Sequence, residues 1–322
     1  MTDEAPPSAP PSAPSPTPGR RLGRYWLMAK LGHGGMADVY LATARGPSGF
    51  NKLTVLKVLR PHLSGDPQFL TMFLDEARLA ARLNHPNVVQ TNEVGSTDHA
   101  HYLAMEYLEG QPLFRISHKL RAAKRIELPH NLRILCDALA ALHYAHELCD
   151  YDGTPLSVVH RDVSPHNLFV TYAGQVKLLD FGIAKALTSV AETSPGVLKG
   201  KVTYMAPEQA WGDQVDRRAD VFAVGIMLWE ALTGRRLWLE AEGNVLQRLV
   251  NGKIPTPSSV APWVLERLEQ ITMKALAVDK EERYPTAAAF RADLLDALDE
   301  LGRPDEDALS SLVVELFAMT AR

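Results

Sequence analysis

The hydrophobic positions of this chain change their spacing near residue 107. Between Tyr25 and Tyr107 most apolar stretches are short and are separated by turn residues, which is typical of β-strands. One stretch there, Gln68 to Asn84, instead carries apolar side chains at helical spacing. The first part of the chain is therefore predicted to consist mainly of strands, with one helix among them.

Beyond Leu113 the spacing becomes helical. Leucines recur along Asn131 to Leu148 at intervals that predict a buried helix, and Asp220 to Leu232 forms an apolar helical stretch. Residues 150–155 carry turn signals and predict a small hairpin. Three further helices are predicted at Trp263–Ala277, Ala287–Leu301 and Ala308–Met319.

The two ends of the chain differ from its centre. The N-terminal segment is mostly Pro, Ala and Ser, and its prolines oppose both helix and sheet formation. Residues 1–24 are therefore expected to form a disordered tail. Residues 303–322 follow a Gly-Arg-Pro break and are expected to form a C-terminal helical extension, which either docks on the preceding domain or mediates pairing of two chains.

Composition narrows the class of protein. The 322 residues are 46% hydrophobic and 22% charged, and the net charge of -4 argues against a dedicated binder of nucleic acid or anionic membranes. Two cysteines are too few for a disulfide framework, which favours a reducing compartment. The N-terminus lacks a signal segment, and the longest apolar run is too short to cross a bilayer. A soluble cytoplasmic protein without a membrane anchor is expected.

The polar residues with the clearest chemical meaning lie between 160 and 182. Asp162 is followed five residues later by Asn167, and Asp180 begins an Asp-Phe-Gly turn after a short apolar strand. A nucleotide-dependent phosphoryl transferase needs such an aspartate base, an asparagine and a second aspartate around its metal ions. Far upstream, the glycine turn at residues 32–37 lets backbone N–H groups approach a phosphate.

From residue 25 to about 300, the order of these motifs resembles that of Hanks-type protein kinases. The overall sequence is similar to that of bacterial serine/threonine kinases. After the glycine turn come Lys57 in a strand, Glu76 in a helix, the His-Arg-Asp loop, Asp-Phe-Gly and Ala-Pro-Glu. The resemblance implies an α+β fold with two lobes. Its small β-rich N-lobe would span 25–107 with one long helix, and its larger, mainly helical C-lobe would span 108–302.

The resemblance also implies roles for particular residues. Asp162 would accept or orient the proton of the substrate hydroxyl, Asn167 and Asp180 would hold Mg²⁺, and Glu76 would hold Lys57 against the phosphates of ATP. The implied ATP-binding residues are Leu31, Gly32, His33, Gly34, Gly35, Met36, Ala37, Asp38, Val39, Val55, Lys57, Met105, Glu106, Leu108, Phe169 and Asp180.

Two structural contacts follow from the same resemblance. Asp220 matches the buried aspartate that hydrogen-bonds the backbone of the catalytic loop in this family. Arg283 stands where the family has an arginine that pairs with the glutamate of Ala-Pro-Glu, which is Glu208 here. Breaking such a buried pair is expected to destabilise the fold by about 3–5 kcal/mol.

Two positions depart from the family pattern at the centre of the site. Ser164 replaces the lysine that usually touches the γ-phosphate, so a nucleotide-binding pseudokinase scaffold is an alternative to an active enzyme. Lys201 replaces a threonine that usually bonds the catalytic aspartate. We hypothesise that Lys201 supplies the missing cation to Asp162 and the γ-phosphate, while Ser164 supplies the hydroxyl. The alternative for Lys201 is a solvent-facing side chain.

The acceptor is expected to be a protein hydroxyl. The segment from Thr203 to Glu208 resembles the serine/threonine form, whereas the missing catalytic-loop lysine keeps tyrosine specificity as an alternative. Arg161 precedes the catalytic aspartate and is placed to order a phosphorylated activation segment, so autophosphorylation by a second copy of the chain is expected. The candidate phosphorylation sites are Thr188, Ser189, Thr193 and Ser194.

Overall fold

The computed structural model describes residues 16–46, 49, 51–97, 100–181, 202–238, 248 and 254–318. The chain divides into two compact units. Unit 1 consists of Met1–Arg82 and Gln90–Tyr107, and unit 2 consists of Leu83–Val89 and Leu108–Arg322. The main division at residue 107 coincides with the change in hydrophobic spacing.

Unit 1 is an antiparallel sheet with two helices. Its strands are β1 (Arg21–Leu22), β2 (Tyr25–His33), β3 (Ala37–Arg45), β4 (Asn51–Leu59), β5 (Thr91–Thr97) and β6 (Ala100–Glu106). They hydrogen-bond in the order β1-β2-β3-β4-β6-β5. The helices are α1 (Pro61–Ser64) and α2 (Pro67–Arg82), and α2 packs against β5.

The core of unit 1 follows the two-residue period of its strands. The rings of Tyr25 and Tyr102 meet edge to face with their centroids 5.6 Å apart. Gly95 on β5 leaves room for this pair, because a Cβ there would lie 2.3 Å from the ring of Tyr102. The remaining large members of this core are Leu22, Leu27, Tyr40, Leu56 and Val58.

Residues 16–24 differ from the disordered tail that their composition predicts. Arg21 and Leu22 pair with β2 as strand β1, and the Leu22 side chain is buried. The hydroxyl of Tyr40 donates to the carbonyl oxygen of Pro16 at 2.8 Å. A two-residue strand is too short to produce a detectable alternation, so the proline-rich composition dominated the prediction.

Residues 83–89 also differ from the predicted boundaries, because they belong to unit 2. Val89 donates its N–H to the carbonyl oxygen of Leu178 at 3.0 Å, and Leu178 donates to Asn87 at 2.7 Å. The ring of His85 stacks on that of Tyr144, with the centroids 5.1 Å apart. These residues lack periodicity of their own, so the sequence did not separate them from the strands around them.

Unit 2 is mainly helical. Its helices are α3 (Leu113–Ala122), α4 (Leu128–His146), α5 (Pro207–Trp211), α6 (Arg218–Thr233), α7 (Pro257–Val260), α8 (Glu266–Ala275), α9 (Ala287–Leu301) and α10 (Ala308–Ala318). Strands β7 (Gly110–Pro112), β8 (Leu168–Thr171) and β9 (Val176–Leu178) form a small sheet in that order. The α+β class expected from the sequence is confirmed.

Helix α6 lies at the centre of unit 2. Nearly all of its side chains are buried, and it packs against α4, α8 and α9. Gly225 permits the close crossing with α8, because a Cβ there would lie 3.0 Å from the Cβ of Ala275. No helix among the described residues has the length and apolar character needed to cross a membrane.

Helix α10 docks within unit 2. It packs against α3 and β8 through buried side chains that include Leu312 and Phe317. Lys119 of α3 donates to the carbonyl oxygen of Leu316, and the ammonium of Lys119 lies 4.2 Å from the centroid of the Phe317 ring. Of the two roles expected for the C-terminal extension, the structure therefore shows docking.

Candidate active site

Asn167 positions Asp162 within the catalytic loop. The Nδ2 atom of Asn167 donates to the backbone oxygen of Asp162 at 2.8 Å and to its carboxylate Oδ2 at 3.0 Å. These two bonds use both amide protons of Asn167. The amide oxygen Oδ1 is thereby assigned as the atom of Asn167 that can bind a cation.

Asp220 holds the backbone at the start of the same loop. Its carboxylate accepts from the N–H groups of His160 at 2.8 Å and Arg161 at 2.9 Å, and from Nε2 of His146 at 2.8 Å. Arg161 has a left-handed φ of 64°, which costs about 1–2 kcal/mol in a residue with a Cβ. Burial opposes ionisation of Asp220, but the bond from His146 and the nearby His160 and backbone donors lower its pKa overall.

The turn at Asp180 is tied to this loop through the residue before it. Leu179 donates its N–H to the carbonyl oxygen of Asn167 at 2.8 Å, and Nε2 of His160 donates to the carbonyl oxygen of Leu179 at 2.9 Å. The buried ring of Phe181 lies 4.6 Å from the ring of His160. Asp180 and Asn167, the two predicted metal ligands, therefore project from neighbouring backbone segments.

The expected pair between Glu208 and Arg283 is present and buried. The guanidinium binds both carboxylate oxygens, at 2.7 and 2.8 Å, and its Nε donates to the carbonyl oxygen of Ala277 at 2.6 Å. Next to Glu208 on α5, Gln209 donates to the carbonyl oxygen of Arg161 at 3.2 Å. Helix α5 thus binds the carbonyl group of the strained Arg161, whose N–H group is bound by Asp220.

Lys57 and Glu76 form an ion pair within unit 1. Lys57 lies on β4, opposite Val39 of β3 and Leu103 of β6, and Glu76 lies on α2. Their side chains are only 12% and 7% exposed. A lysine with so little contact with water requires an anion, so Lys57 is not an ordinary solvent-facing strand residue.

The glycine turn between β2 and β3 is compact. Gly34 donates its N–H to the carbonyl oxygen of Ala37 at 2.9 Å, and a Cβ at Gly34 would lie 3.1 Å from that oxygen. A Cβ at Gly35 would meet nothing within 4 Å. Ala37, which replaces the third glycine of the family pattern, is buried and is not among the residues with positive φ.

Asp38 anchors this turn from inside unit 1. Its carboxylate is 8% exposed and accepts from Lys30 and from Nδ1 of His33, both at 2.8 Å. Arg60 approaches the same carboxylate at 3.4 Å. Burial opposes ionisation of Asp38, but the bonds from Lys30 and His33 lower its pKa overall. Asp38 and His33 were predicted to contact ATP, and the structure places both in this cluster.

Arg60 was missed by the sequence analysis. Its guanidinium donates to the carbonyl oxygen of Gly34 and to Nε2 of His33, and its backbone N–H donates to Met36 at 3.1 Å. The only sequence signal was an arginine three residues after Lys57. Such a position identifies no partner until the strands are paired.

The residues predicted to surround the adenine divide between the two units. In unit 1, Met105 is buried opposite Val55, and Glu106 exchanges backbone and side-chain hydrogen bonds with Gln90 at 2.9 and 2.8 Å. In unit 2, Phe169 lies on β8. The other predicted residues are on β2, β3, the turn between them, or just beyond β6: Leu31, Gly32, Met36, Val39 and Leu108.

Some predicted residues lie outside the part of the chain that the structure describes. These include Lys201, the glycine of the Asp-Phe-Gly turn and the four candidate phosphorylation sites. Ser164 is described, and its carbonyl oxygen accepts the N–H of Asn167 at 3.0 Å. The exchange between Ser164 and Lys201 therefore stays a hypothesis.

Comparison with known sequences gives a consistent result. Residues 25–295 match the sequence family described as "Protein kinase domain". Tyrosine-protein kinase MasK of Myxococcus xanthus is 50% identical over 277 residues, which cover 85% of this chain and 43% of the relative. Serine/threonine-protein kinase PrkC of Bacillus subtilis is 36% identical over 284 residues, covering 87% and 42%. The chain thus spans less than half the length of these relatives.

Solved structures agree with the sequences. The crystal structure of the Mycobacterium tuberculosis PknI kinase domain matches with a TM-score of 0.63 and 28% identity, covering 88% of this chain and 98% of that one. The likeness confirms the fold that the motifs implied. With the motif geometry and the match over residues 25–295, it establishes that this chain belongs to the protein kinase domain family.

Proposed function

We propose that this chain is an active protein kinase that transfers the γ-phosphate of ATP to serine and threonine hydroxyls of proteins. The observation that carries the proposal is the pair of hydrogen bonds by which Asn167 fixes Asp162. Asp220 further fixes the backbone that precedes Asp162. A scaffold that only binds nucleotide does not need a carboxylate base held so closely.

The residues present fit magnesium and ATP. Mg²⁺ prefers oxygen ligands, which Asn167 Oδ1 and the carboxylate of Asp180 supply from neighbouring backbone. Lys57, oriented by Glu76, would hold phosphates together with the backbone N–H groups of the glycine turn. Bound Mg–ATP supplies a transferable phosphoryl group whose negative charge is partly neutralised.

In the proposed reaction the acceptor oxygen forms a bond to the γ-phosphorus while the bond from that phosphorus to the β–γ bridging oxygen breaks. ADP leaves with the bridging oxygen. Asp162 orients the acceptor hydroxyl and receives its proton. Serine/threonine specificity is supported by the sequence from Thr203 to Glu208 and by relatives such as PrkC, which is named a serine/threonine kinase.

Tyrosine is the second candidate acceptor. It is favoured by the name of the 50% identical relative MasK and by the absence of a lysine at position 164. Autophosphorylation by a second copy of the chain and a cytoplasmic location both stay predictions. A nucleotide-binding scaffold is the alternative that the fixed Asp162 makes less suitable.

Phosphoamino-acid analysis separates these candidates. The purified chain is incubated with labelled ATP, Mg²⁺ and a generic protein substrate, and the products are hydrolysed and resolved. We expect phosphoserine and phosphothreonine from the natural chain and no label from Asp162→Asn. Phosphotyrosine alone would support the second candidate. ATP binding without any label from the natural chain would support the scaffold.

A further inference from the structure

A cleft on unit 2 opens beside the catalytic loop. Its walls come from α3, α4 and α6, and Pro165 of the loop forms one edge. The charged side chains that line it are Arg121, Arg125 and Glu230. Since Pro165 is three residues from Asp162 in the sequence, a protein segment bound in this cleft lies near the catalytic loop.

Two of the three charged side chains already have partners. Arg125 forms ion pairs with Glu127 at 2.7 Å and with Glu315 of α10 at 2.6 Å. The carboxylate of Glu230 accepts from the hydroxyl of Tyr204 at 2.9 Å and from the N–H of Leu237 at 3.3 Å. Neither Arg125 nor Glu230 therefore needs a bound ligand to satisfy its charge.

Arg121 differs from Arg125 and Glu230 in its contacts. Within the described part of the chain, no hydrogen bond or ion pair reaches its half-buried guanidinium. Burial lowers the pKa of Arg121, and the nearby positive charge of Arg236 lowers it further, whereas Glu230 raises it. Among the described residues, Arg121 is therefore a half-buried cation beside a carboxylate, Glu230, that is already bound by other donors.

A second arginine and a ring contact lie on either side of this cleft. Arg236 donates to the hydroxyl of Tyr204 at 2.9 Å, just before the Ala-Pro-Glu motif. In the catalytic loop, His166 stacks on Phe114 of α3 with the ring centroids 4.3 Å apart, so the loop contacts the helix that carries Arg121.

We infer that this cleft selects acidic acceptor proteins, in which an Asp or Glu side chain near the phosphorylated residue pairs with Arg121. A carboxylate suits the site because a guanidinium binds it through two parallel hydrogen bonds, which are strong where water is partly excluded. A basic side chain at the same place would meet Arg121, and the one described carboxylate that lines the cleft, Glu230, is already bound by Tyr204 and Leu237. The inference rests on the proposed function and names the substrate class for it.

Peptide kinetics test the inference. Three substrate peptides have the same acceptor residue, and the residues next to it are acidic, neutral or basic. For the natural chain we expect kcat/KM to be highest for the acidic peptide. Arg121→Ala should lower the preference for acidic over neutral peptide by about tenfold, an effect between those expected for exposed and for fully buried ion pairs. The matched control is Arg115→Ala, which removes an exposed arginine from the same helix and should leave the preference unchanged.

Charge reversal distinguishes a change in substrate preference from a loss of folding. Arg121→Glu should move the preference towards the basic peptide, which a merely misfolded variant does not do. An unchanged preference in both Arg121 variants, or an equal loss on all three peptides, would overturn the inference while leaving the proposed function in place. If the natural chain phosphorylates no peptide and no protein substrate, the proposed function itself fails.

Discussion

Arg60 connects the strand that carries Lys57 to the glycine turn. It holds the carbonyl oxygens of Gly34 and Met36 and approaches Asp38. Because peptide units are planar, fixing these carbonyl groups also fixes the direction of the neighbouring N–H groups. Those N–H groups are the ones proposed to face phosphate, so we expect Arg60 to affect ATP binding through the backbone it positions.

Arg60→Ala should therefore weaken the binding of Mg–ATP by about tenfold, or about 1.4 kcal/mol. Isothermal titration of the purified variant with ATP in excess Mg²⁺ measures the change. Lys52→Ala is the matched control, because Lys52 is an exposed cation at the other end of β4. Equal affinities for the Arg60→Ala and Lys52→Ala variants would show that Arg60 does not position the turn.

Lys201 provides a second prediction for a single residue. If its cation replaces the lysine absent from position 164, Lys201→Ala should lower kcat by about 100-fold, as for other groups that stabilise transition-state charge. Adding Ser164→Lys to that variant should restore much of the rate, since the cation returns to its usual position. Steady-state kinetics with Lys199→Ala as the neighbouring control tests this. A full rate for Lys201→Ala, alongside inactive Asp162→Asn, would refute the exchange.

The residues found from the sequence have partners that a sequence motif specifies, whereas the surroundings of the residues that were missed depend on the fold. Asp162 and Asn167 belong to one short motif, so their spacing alone brought them together. Arg60 and Arg121 carry no motif, and their environments depend on strand pairing and helix packing. An arginine in a sequence is normally expected at the surface, with its charge in water. Only its buried position in the structure shows that the charge requires a partner.

At the level of elements, α10 enlarges unit 2 by packing against α3 and β8. Phe317 is 6% exposed and lies under Lys119, whereas Val314 on the same helix is 46% exposed. Ser310 donates to the carbonyl oxygen of Tyr172 at 2.6 Å, which joins α10 to the segment after β8. The helix thus supports both α3 and the small sheet of β7, β8 and β9.

Phe317→Ala should loosen this contact and destabilise the docked helix by about 2–4 kcal/mol, because it removes a large buried ring. Val314→Ala should change stability by less than about 0.5 kcal/mol, as expected for an exposed position. Amide hydrogen exchange of α10 and α3 measures the local effect, and urea unfolding measures the global one. If exchange in α3 is as slow in Phe317→Ala as in Val314→Ala, α10 does not support α3.

The sequence was more informative about helices than about short strands. Apolar spacing located α4, α6, α8, α9 and α10, and α9 has the predicted limits. Strand β1 was missed because two residues show no periodicity and proline-rich neighbours suggested disorder. Docking of α10 was undecided because an apolar helix face looks the same whether it meets its own chain or another.

For the whole molecule, the sequence predicted two structural regions divided at residue 107, and the two compact units also divide there. It did not assign residues 83–89 to unit 2, because that assignment comes from hydrogen bonds to Leu178 far along the chain. Family membership followed from the order of the motifs. The proposed substrate preference did not, since it depends on charged side chains that the packing of α3 and α6 beside the catalytic loop brings together.

The anchoring of the catalytic loop by Asp220 has a consequence for folding order. Asp220 comes from α6 and its partner His146 from α4, while the loop between them contains a left-handed Arg161. A strained loop cannot keep its shape until both helices have packed, because its stabilising partners do not exist earlier. Helical structure should therefore form before catalytic competence during refolding, and the catalytic loop should be among the last segments to become native.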